Sequence, residues 1–239
     1  MVPLHGHNSE IFVMQDPDAR VLWDLPVRLF HWLLVLAVAG CWITLQPGVT
    51  AFEWHVRFGY ATLVLILFRI GWGFVGSRTA RFSSFVRGPA AVWRYVTSLR
   101  DSGAAHAGHN PLGALMVLLF LALLLAIAIT GLFANDEIMY AGALYGYVSD
   151  EVSDRLTHLH HELTEALWIA IGAHVLAVLA YLIFKREDLV GPMITGGRAG
   201  TGAPAGEARL WLAVLLLALA SLLLYAVVAT APEPSSILF

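Results

Sequence analysis

The stretch LTHLHHELTEALWIAIGAHVLAVL, residues 156–179, decides the fold of this chain. From residue 163 to 184 the sequence is almost wholly apolar, which predicts a helix that crosses a membrane. Three histidines precede this run and a fourth lies inside it: His158, His160, His161 and His174. An imidazole in hydrocarbon is costly unless a partner satisfies it, so the stretch predicts a ligand as well as a helix.

The composition of the whole chain is that of a membrane protein. Of its 239 residues, 59% are apolar and only 13% are charged, about half the usual globular share. Five apolar runs are long enough to cross about 30 Å of hydrocarbon. They lie at residues 27–46, 58–76, 112–133, 163–184 and 210–230. Since backbone groups in lipid must bond to one another, all five are expected to be helices.

The runs divide the chain into four parts. A polar tail covers residues 1–20, a four-helix transmembrane bundle covers 21–198, and a Gly/Ala-rich linker covers 199–209. Residues 210–239 form a fifth transmembrane helix with a short tail; this helix contains no His, Arg or Lys and is expected to be peripheral to the chemistry. The sequence therefore predicts an all-α integral membrane protein, a four-helix bundle plus a fifth helix.

The basic residues predict the orientation in the membrane. An N-inside topology places all 14 lysines and arginines on the inner side except Arg57 and Arg155. Because cytoplasmic loops carry the excess of Lys and Arg, we expect a cytoplasmic N-terminus and a periplasmic C-terminus in a bacterial inner membrane. Residues 134–160, which are rich in acidic side chains, are then expected to be an outer loop. Residues 85–99, FVRGPAAVWRYVTSL, are expected to be an amphipathic segment at the inner surface. No cationic stripe is present that would indicate nucleic-acid binding.

Four histidines in or beside the runs sort into two depths. The first run starts inside, so His31 lies toward the inner face; the second and fourth start outside, so His55 and His161 lie toward the outer face. His174 follows His161 by 13 residues, about 20 Å deeper at 1.5 Å per residue. The predicted pairs are therefore His31 with His174 and His55 with His161.

Two pairs of imidazoles favour haem over zinc. A zinc ion needs three or four ligands at one depth, whereas a porphyrin supplies four nitrogens and needs only two axial ligands. The chain has one cysteine, Cys41, and no C-x-x-C-H motif, so iron–sulfur and covalently attached haem are excluded and two b haems are expected. Arg69, inside the second run, either snorkels to the inner surface or binds a haem propionate.

Several segments occur in an order that is typical of one family. They are WDLPVRLFHW at residues 23–32, RIGWGFVGSRTARFSSF at 69–85, GHNPLGALMV at 108–117, HHE at 160–162, AHV at 173–175 and REDLVGPMITGGR at 186–198. Over about residues 20–198 the chain resembles the prokaryotic cytochrome b-561 family, which includes the cytochrome b subunits of nickel–iron hydrogenases. The resemblance implies a bundle with two b haems that passes electrons between a donor and the quinone pool.

The resemblance also implies site residues. It implies His31, His55, His161 and His174 as haem ligands, and it matches Arg69 to the arginine of the family's second helix. It further implies that His109, in the GHNP segment, lies at the inner face near a haem edge or a quinone.

His160 is the alternative to His161. It precedes His174 by 14 residues, about −40° on a helix, whereas the 13-residue step from His161 is about −140°. If the fourth run must reach two different helices, the diverging pair fits better, and the family's habit of a Glu after this ligand agrees. His161 is therefore preferred.

The resulting hypothesis is a membrane electron conduit. A periplasmic c-type cytochrome, hydrogenase or dehydrogenase subunit would dock on the acidic outer face, and quinone would react near the inner face. One alternative is a stand-alone quinone oxidoreductase for a small diffusible reductant. Another is an intramembrane metal enzyme or transporter that uses His158, His160, His161 and Glu162. Membrane lipid surrounds the helices, and self-association into a homo-oligomer is left open.

Overall fold

The computed structural model describes residues 19–46, 51–97, 111–137, 140–199 and 208–232. In these ranges the chain forms eight α-helices: α1 Leu25–Ile43, α2 Phe52–Val75, α3 Phe82–Phe85, α4 Pro89–Thr97, α5 Pro111–Phe133, α6 Asp150–Phe184, α7 Val190–Thr195 and α8 Leu210–Ala229. Five of them, α1, α2, α5, α6 and α8, are long and apolar enough to cross a membrane. The prediction of an all-α membrane protein with five spans is confirmed.

Two of the long helices begin well before their apolar runs. α2 begins at Phe52, so His55 lies in its first turn rather than ahead of it. α6 begins at Asp150 and has 35 residues, so residues 150–160 of the segment predicted as an outer loop are helical instead. At 1.5 Å per residue α6 is about 52 Å long, which is more than a membrane requires.

Hydrogen bonds at the end where α2 and α6 begin, named the outer end after its expected position, hold this extra length of α6 in place. The Asn135 side-chain amide donates to Ser153 Oγ at 2.6 Å and to Asp154 Oδ1 at 2.9 Å. Ser153 is fully buried, and its hydroxyl donates to the carbonyl oxygen of Phe133 at 2.6 Å. The polar start of α6 is therefore fixed to the end of α5 and does not depend on lipid for its order.

The long helices pack as two antiparallel pairs that meet through α2. α1 packs along α2, and α5 packs along α6, while α2 also contacts α5 and α8. A buried core that includes Ile66, Leu124, Leu167 and Ala170 joins α2, α5 and α6. The backbones of α1 and α6 are less closely packed in the described residues, and large side chains connect them, as where the rings of Trp42 and Trp168 meet with centroids 5.8 Å apart.

A small clasp closes the inner end of the bundle. Residues Ala19–Val21 form a strand, β1, which pairs antiparallel with β2, Gly197–Ala199. The Arg28 guanidinium donates to the carbonyl oxygen of Ile194 at 2.6 Å, and the Trp32 indole donates to that of Met193 at 3.1 Å. The segment after α6 thus folds back onto the start of α1, an addition that hydropathy did not predict.

Asp24 organises the start of α1. Its carboxylate accepts a hydrogen bond from the backbone N–H of Val27 at 2.8 Å, as an N-cap does, and another from the Trp72 indole at 3.0 Å. Both Asp24 and Trp72 are buried. One carboxylate therefore starts α1 and joins it to α2.

The peripheral elements attach at both ends. α8 packs on α2, where Gly71 faces Leu216, and the Tyr147 hydroxyl donates to the carbonyl oxygen of Thr230 at 3.0 Å. The amphipathic segment of residues 85–99 forms α4, preceded by α3, and the Tyr95 hydroxyl is hydrogen-bonded to that of Tyr181 at the end of α6.

Candidate functional site

His55 and His160 face each other near the outer end of the bundle. Their ring centroids are 6.4 Å apart and the ring planes are at 75°. His55 Nδ1 lies 3.0 Å from the carbonyl oxygen of Cys41 on α1. A carbonyl oxygen only accepts, so this nitrogen carries the proton and Nε2 keeps its lone pair. His55 is thus prepared to act as a ligand through Nε2.

His160 is held in the same way from a different helix. Its Nδ1 lies 2.9 Å from the carbonyl oxygen of Ile127 on α5, and the hydroxyl of Thr130 is 3.4 Å away. Gly131 leaves room for the ring, because a Cβ at that position would meet His160 Cε1 at 3.1 Å. The Nε2 lone pair of His160 is therefore also available.

His161 occupies the other side of α6. It is exposed, and it lines a shallow surface pocket with Asn135, Glu137, Asp154, Thr157 and His158. The predicted pairing of His55 with His161 therefore differs from the arrangement in the structure, which brings His160 to His55. The reason is that α1 and α2 form one closely packed pair, so two histidines on α6 can approach both helices without diverging.

His31 and His174 form the inner group. They lie on α1 and α6, and are near enough to interact electrostatically. The His174 ring packs edge-on against Phe120, with centroids 5.7 Å apart. His31 Nδ1 is buried and has no hydrogen-bond partner. An orphaned buried nitrogen is costly, so it indicates that a bound group belongs here.

Arg69 is a buried cation. The residue is 2% exposed, so it does not snorkel to the surface. Its guanidinium carbon lies 5.3 Å from the Phe82 ring centroid, and Asp24 attracts it electrostatically. Its Nη1 is buried without a hydrogen-bond partner. This free donor suits an anionic group such as a carboxylate, which agrees with the propionate hypothesis.

The donor set suits a haem better than a bare metal ion. Within the described ranges, no group of three or more His, Cys, Asp or Glu residues is placed to hold a metal ion. The alternative site at His158, His160, His161 and Glu162 is not assembled, because His160 points inward and His161 is exposed. Imidazoles instead occur in twos, and a macrocycle that fills the equatorial positions requires only two axial ligands.

Small residues leave space around the imidazoles. Gly59 lies one turn after His55 on α2, and nothing is within 4 Å of the place where its Cβ would be. The free Nε2 atoms of His55 and His160 and the open space at Gly59 therefore suit a bound planar group.

His109 lies outside the described residues, so its predicted role stays a prediction. The support of His160 by α5 was missed; a glycine and a threonine side by side in an otherwise aliphatic run, Thr130-Gly131, were the only signal for it in the sequence.

Known proteins are similar to this sequence over most of its length. Residues 22–196 match the family model described as prokaryotic cytochrome b561. A probable Ni/Fe-hydrogenase B-type cytochrome subunit of Azotobacter vinelandii is 26% identical, covering 77% of this chain and 90% of the relative. That of Rhodobacter capsulatus is 28% identical, covering 74% of this chain and 80% of the relative. The hydrogenase 1 counterpart of Escherichia coli K12 is 25% identical, covering 76% and 91%.

No solved structure gives a significant match. The family model nevertheless spans all four helices that carry or support the histidines. The chain therefore belongs to the prokaryotic cytochrome b561 family, and it is a multi-pass bacterial membrane protein that binds b-type haem and transfers electrons.

Proposed function

We propose that this chain carries electrons through two b haems, between a periplasmic hydrogenase-type partner and the membrane quinone pool. One observation carries the proposal: α6 carries His160 and His174 on one face, where His160 faces His55 on α2 and His174 is near enough to His31 on α1 to interact electrostatically. The 14-residue separation corresponds to about 21 Å along the helix. Two sites stacked in this way connect the two faces of a membrane.

The proposed axial ligands are His55 with His160 and His31 with His174. His160 thus replaces His161, which was preferred from the sequence. A b haem bound between two imidazoles supplies one-electron chemistry at its iron. The chain's own part is to hold each imidazole in a fixed tautomer and to keep water from the site. The backbone carbonyls of Cys41 and Ile127 do the first for the outer pair.

A partner is proposed at the outer end. The relatives named above are hydrogenase subunits, which favours a hydrogenase over a c-type cytochrome or a dehydrogenase. Arg57 and Arg155, the two arginines there, are each paired with a glutamate one turn earlier, Glu53 and Glu151. These two pairs are neutral, and further acids at this end make it acidic overall: Asp136, Glu137, Asp150 and Asp154. An acidic end complements a basic patch on a partner.

Quinone is proposed at the opposite end. The described arginines other than Arg57 and Arg155 lie toward the end where α1, α5 and α8 begin, which supports a cytoplasmic N-terminus. His31, His174 and Arg69 lie in this half, and His109 stays the candidate for quinone or proton contact.

The proposal is tested by haem counting and spectroscopy of the purified protein. We expect low-spin b-type bands in the reduced-minus-oxidised spectrum and close to two haems per chain. His174→Ala should remove one component and leave the other, while Val175→Ala, on the exposed side of α6, should keep both. A count of one haem in the unmodified protein would refute the two-site arrangement, and a count of two in His174→Ala would refute the assignment of His174 as a ligand.

The partner is tested separately. Membranes that contain the protein and a co-expressed hydrogenase should reduce the haems with hydrogen, and this reduction should slow as ionic strength rises. Rapid reduction of the purified protein alone by a small diffusible reductant, with quinone as the acceptor, would favour the stand-alone oxidoreductase.

A further inference from the structure

We infer that α5, which contributes no haem ligand, sets the orientation and tautomer of His160 through Gly131 and the carbonyl of Ile127. The inference rests on the proposed role of His160 as a ligand. It assigns a positioning function to a helix that the sequence had presented only as an apolar span.

The carbonyl of Ile127 determines which ring nitrogen is free. It lies 2.9 Å from His160 Nδ1, and since it only accepts, the proton is on Nδ1 and the lone pair is on Nε2. An N–H bond to a carbonyl also makes the imidazole a stronger electron donor at its other nitrogen. This backbone group therefore selects the donor atom and adjusts its strength.

Gly131 determines how closely the ring can approach α5. A Cβ at this position would lie 3.1 Å from His160 Cε1 and 3.2 Å from Nδ1. Both distances are shorter than ordinary van der Waals contact, so alanine would require the ring to shift by a few tenths of an ångström. Glycine at 131 thus favours the hydrogen bond, whereas the helix itself would favour alanine.

Thr130 completes the arrangement. Its hydroxyl lies 2.9 Å from the carbonyl oxygen of Ala126 and 3.0 Å from that of Ile127, so it is satisfied within α5. The Thr130 Oγ1 atom also lies 3.4 Å from His160 Nδ1. The ring is consequently bounded by α5 on the edge that carries its proton.

Gly131→Ala tests the inference, with Ile129→Ala as the matched control. Ile129 lies on the same helix two residues earlier, but its side chain is exposed. The readouts are the midpoint potential of each haem and the electron paramagnetic resonance g-values of the ferric form, which report the angle between axial imidazole planes. We expect Gly131→Ala to shift one potential and one g-value, while the other haem and the control stay unchanged.

His160→Ala separates the two claims. If His160→Ala keeps both haems, the ligand assignment itself fails. If His160→Ala loses one haem but Gly131→Ala changes neither potential nor g-value, the ligand stands and only the positioning role of α5 is overturned. An equal change in both haems of Gly131→Ala would also overturn it, since that result indicates a general loss of structure.

Discussion

His160 and His161 are adjacent in sequence, but their rings lie in different environments, one inside the bundle and one at its surface. Their centroids are 5.9 Å apart with planes at 83°, yet His160 faces His55 across the bundle and His161 is exposed. We therefore expect His160→Ala to lose about one haem per chain and His161→Ala to lose none. Haem extraction and protein quantification on both variants decide the question. The reverse result would restore the assignment made from sequence.

Arg69 should matter differently with and without haem. A buried cation without a full set of partners is costly, so Arg69→Leu should leave the haem-free protein as stable as before or more so. With haem bound, the lost positive charge should lower the midpoint potential of the inner haem, and Arg69→Lys should be intermediate. Redox titration of both variants provides the measurement.

The control for Arg69 is Arg94→Gln, because Arg94 is exposed on α4. An equal fall in potential in that variant would show that the effect of Arg69 is a general surface-charge effect and not a local contact.

Asp24 should contribute strongly to stability. Asp24→Ala removes an N-cap, which costs about 1 kcal/mol, and it leaves the buried Trp72 indole unsatisfied, which costs about 1–3 kcal/mol more. Asp24→Asn keeps an acceptor and should lose less. Thermal unfolding in detergent, followed by circular dichroism, compares the two variants. Equal losses would indicate that charge, through Arg69, matters more than the hydrogen bonds.

The contact between α4 and α6 should resist ordinary changes of pH. Burial, and then the hydrogen bond with Tyr181, raise the pKa of Tyr95 well above its usual value. A raised phenol pKa means that the stabilising contribution is fully present below about pH 10, the unfolded value, and is lost only as pH rises through the folded value. Absorbance titration at alkaline pH should show that the last phenol to ionise is absent in Tyr95→Phe and present in Tyr147→Phe.

Enlarging Gly71 should loosen α8 and spare the haems. A Cβ there would lie 3.3 Å from Leu216, so Gly71→Leu should displace α8 from α2. We expect faster protease cleavage in the 199–209 linker and an unchanged haem count and spectrum. Loss of haem in this variant would contradict the prediction that the fifth helix is peripheral to the chemistry.

Hydropathy predicted the number and type of the spans because lipid leaves the backbone no alternative to helices. It misplaced the starts of α2 and α6, since both begin with polar turns. In α6 those turns are ordered by Asn135 and Ser153, contacts between segments about 18 residues apart that no local pattern reveals.

The sequence indicated which helices bring histidines together, but not which histidine of α6 faces α2. Depth along each helix follows from residue counting, so His31, His55 and His174 were recognisable as candidates. The choice between His160 and His161 depends on which side of α6 faces α2, a tertiary fact. Arg69 shows the same limit, because its position in a span was evident but its burial at 2% exposure was not.

Because both α6 histidines belong to one uninterrupted helix, the helix fixes the distance between them. The 14 residues from His160 to His174 set the separation between the two proposed sites at about 21 Å, whatever the loops or a docked partner do. Adding or deleting one residue between them would rotate His174 by about 100° around the helix axis relative to His160, so the two would no longer share a face of α6. The distance an electron must cover is thereby written into the chain as a number of residues.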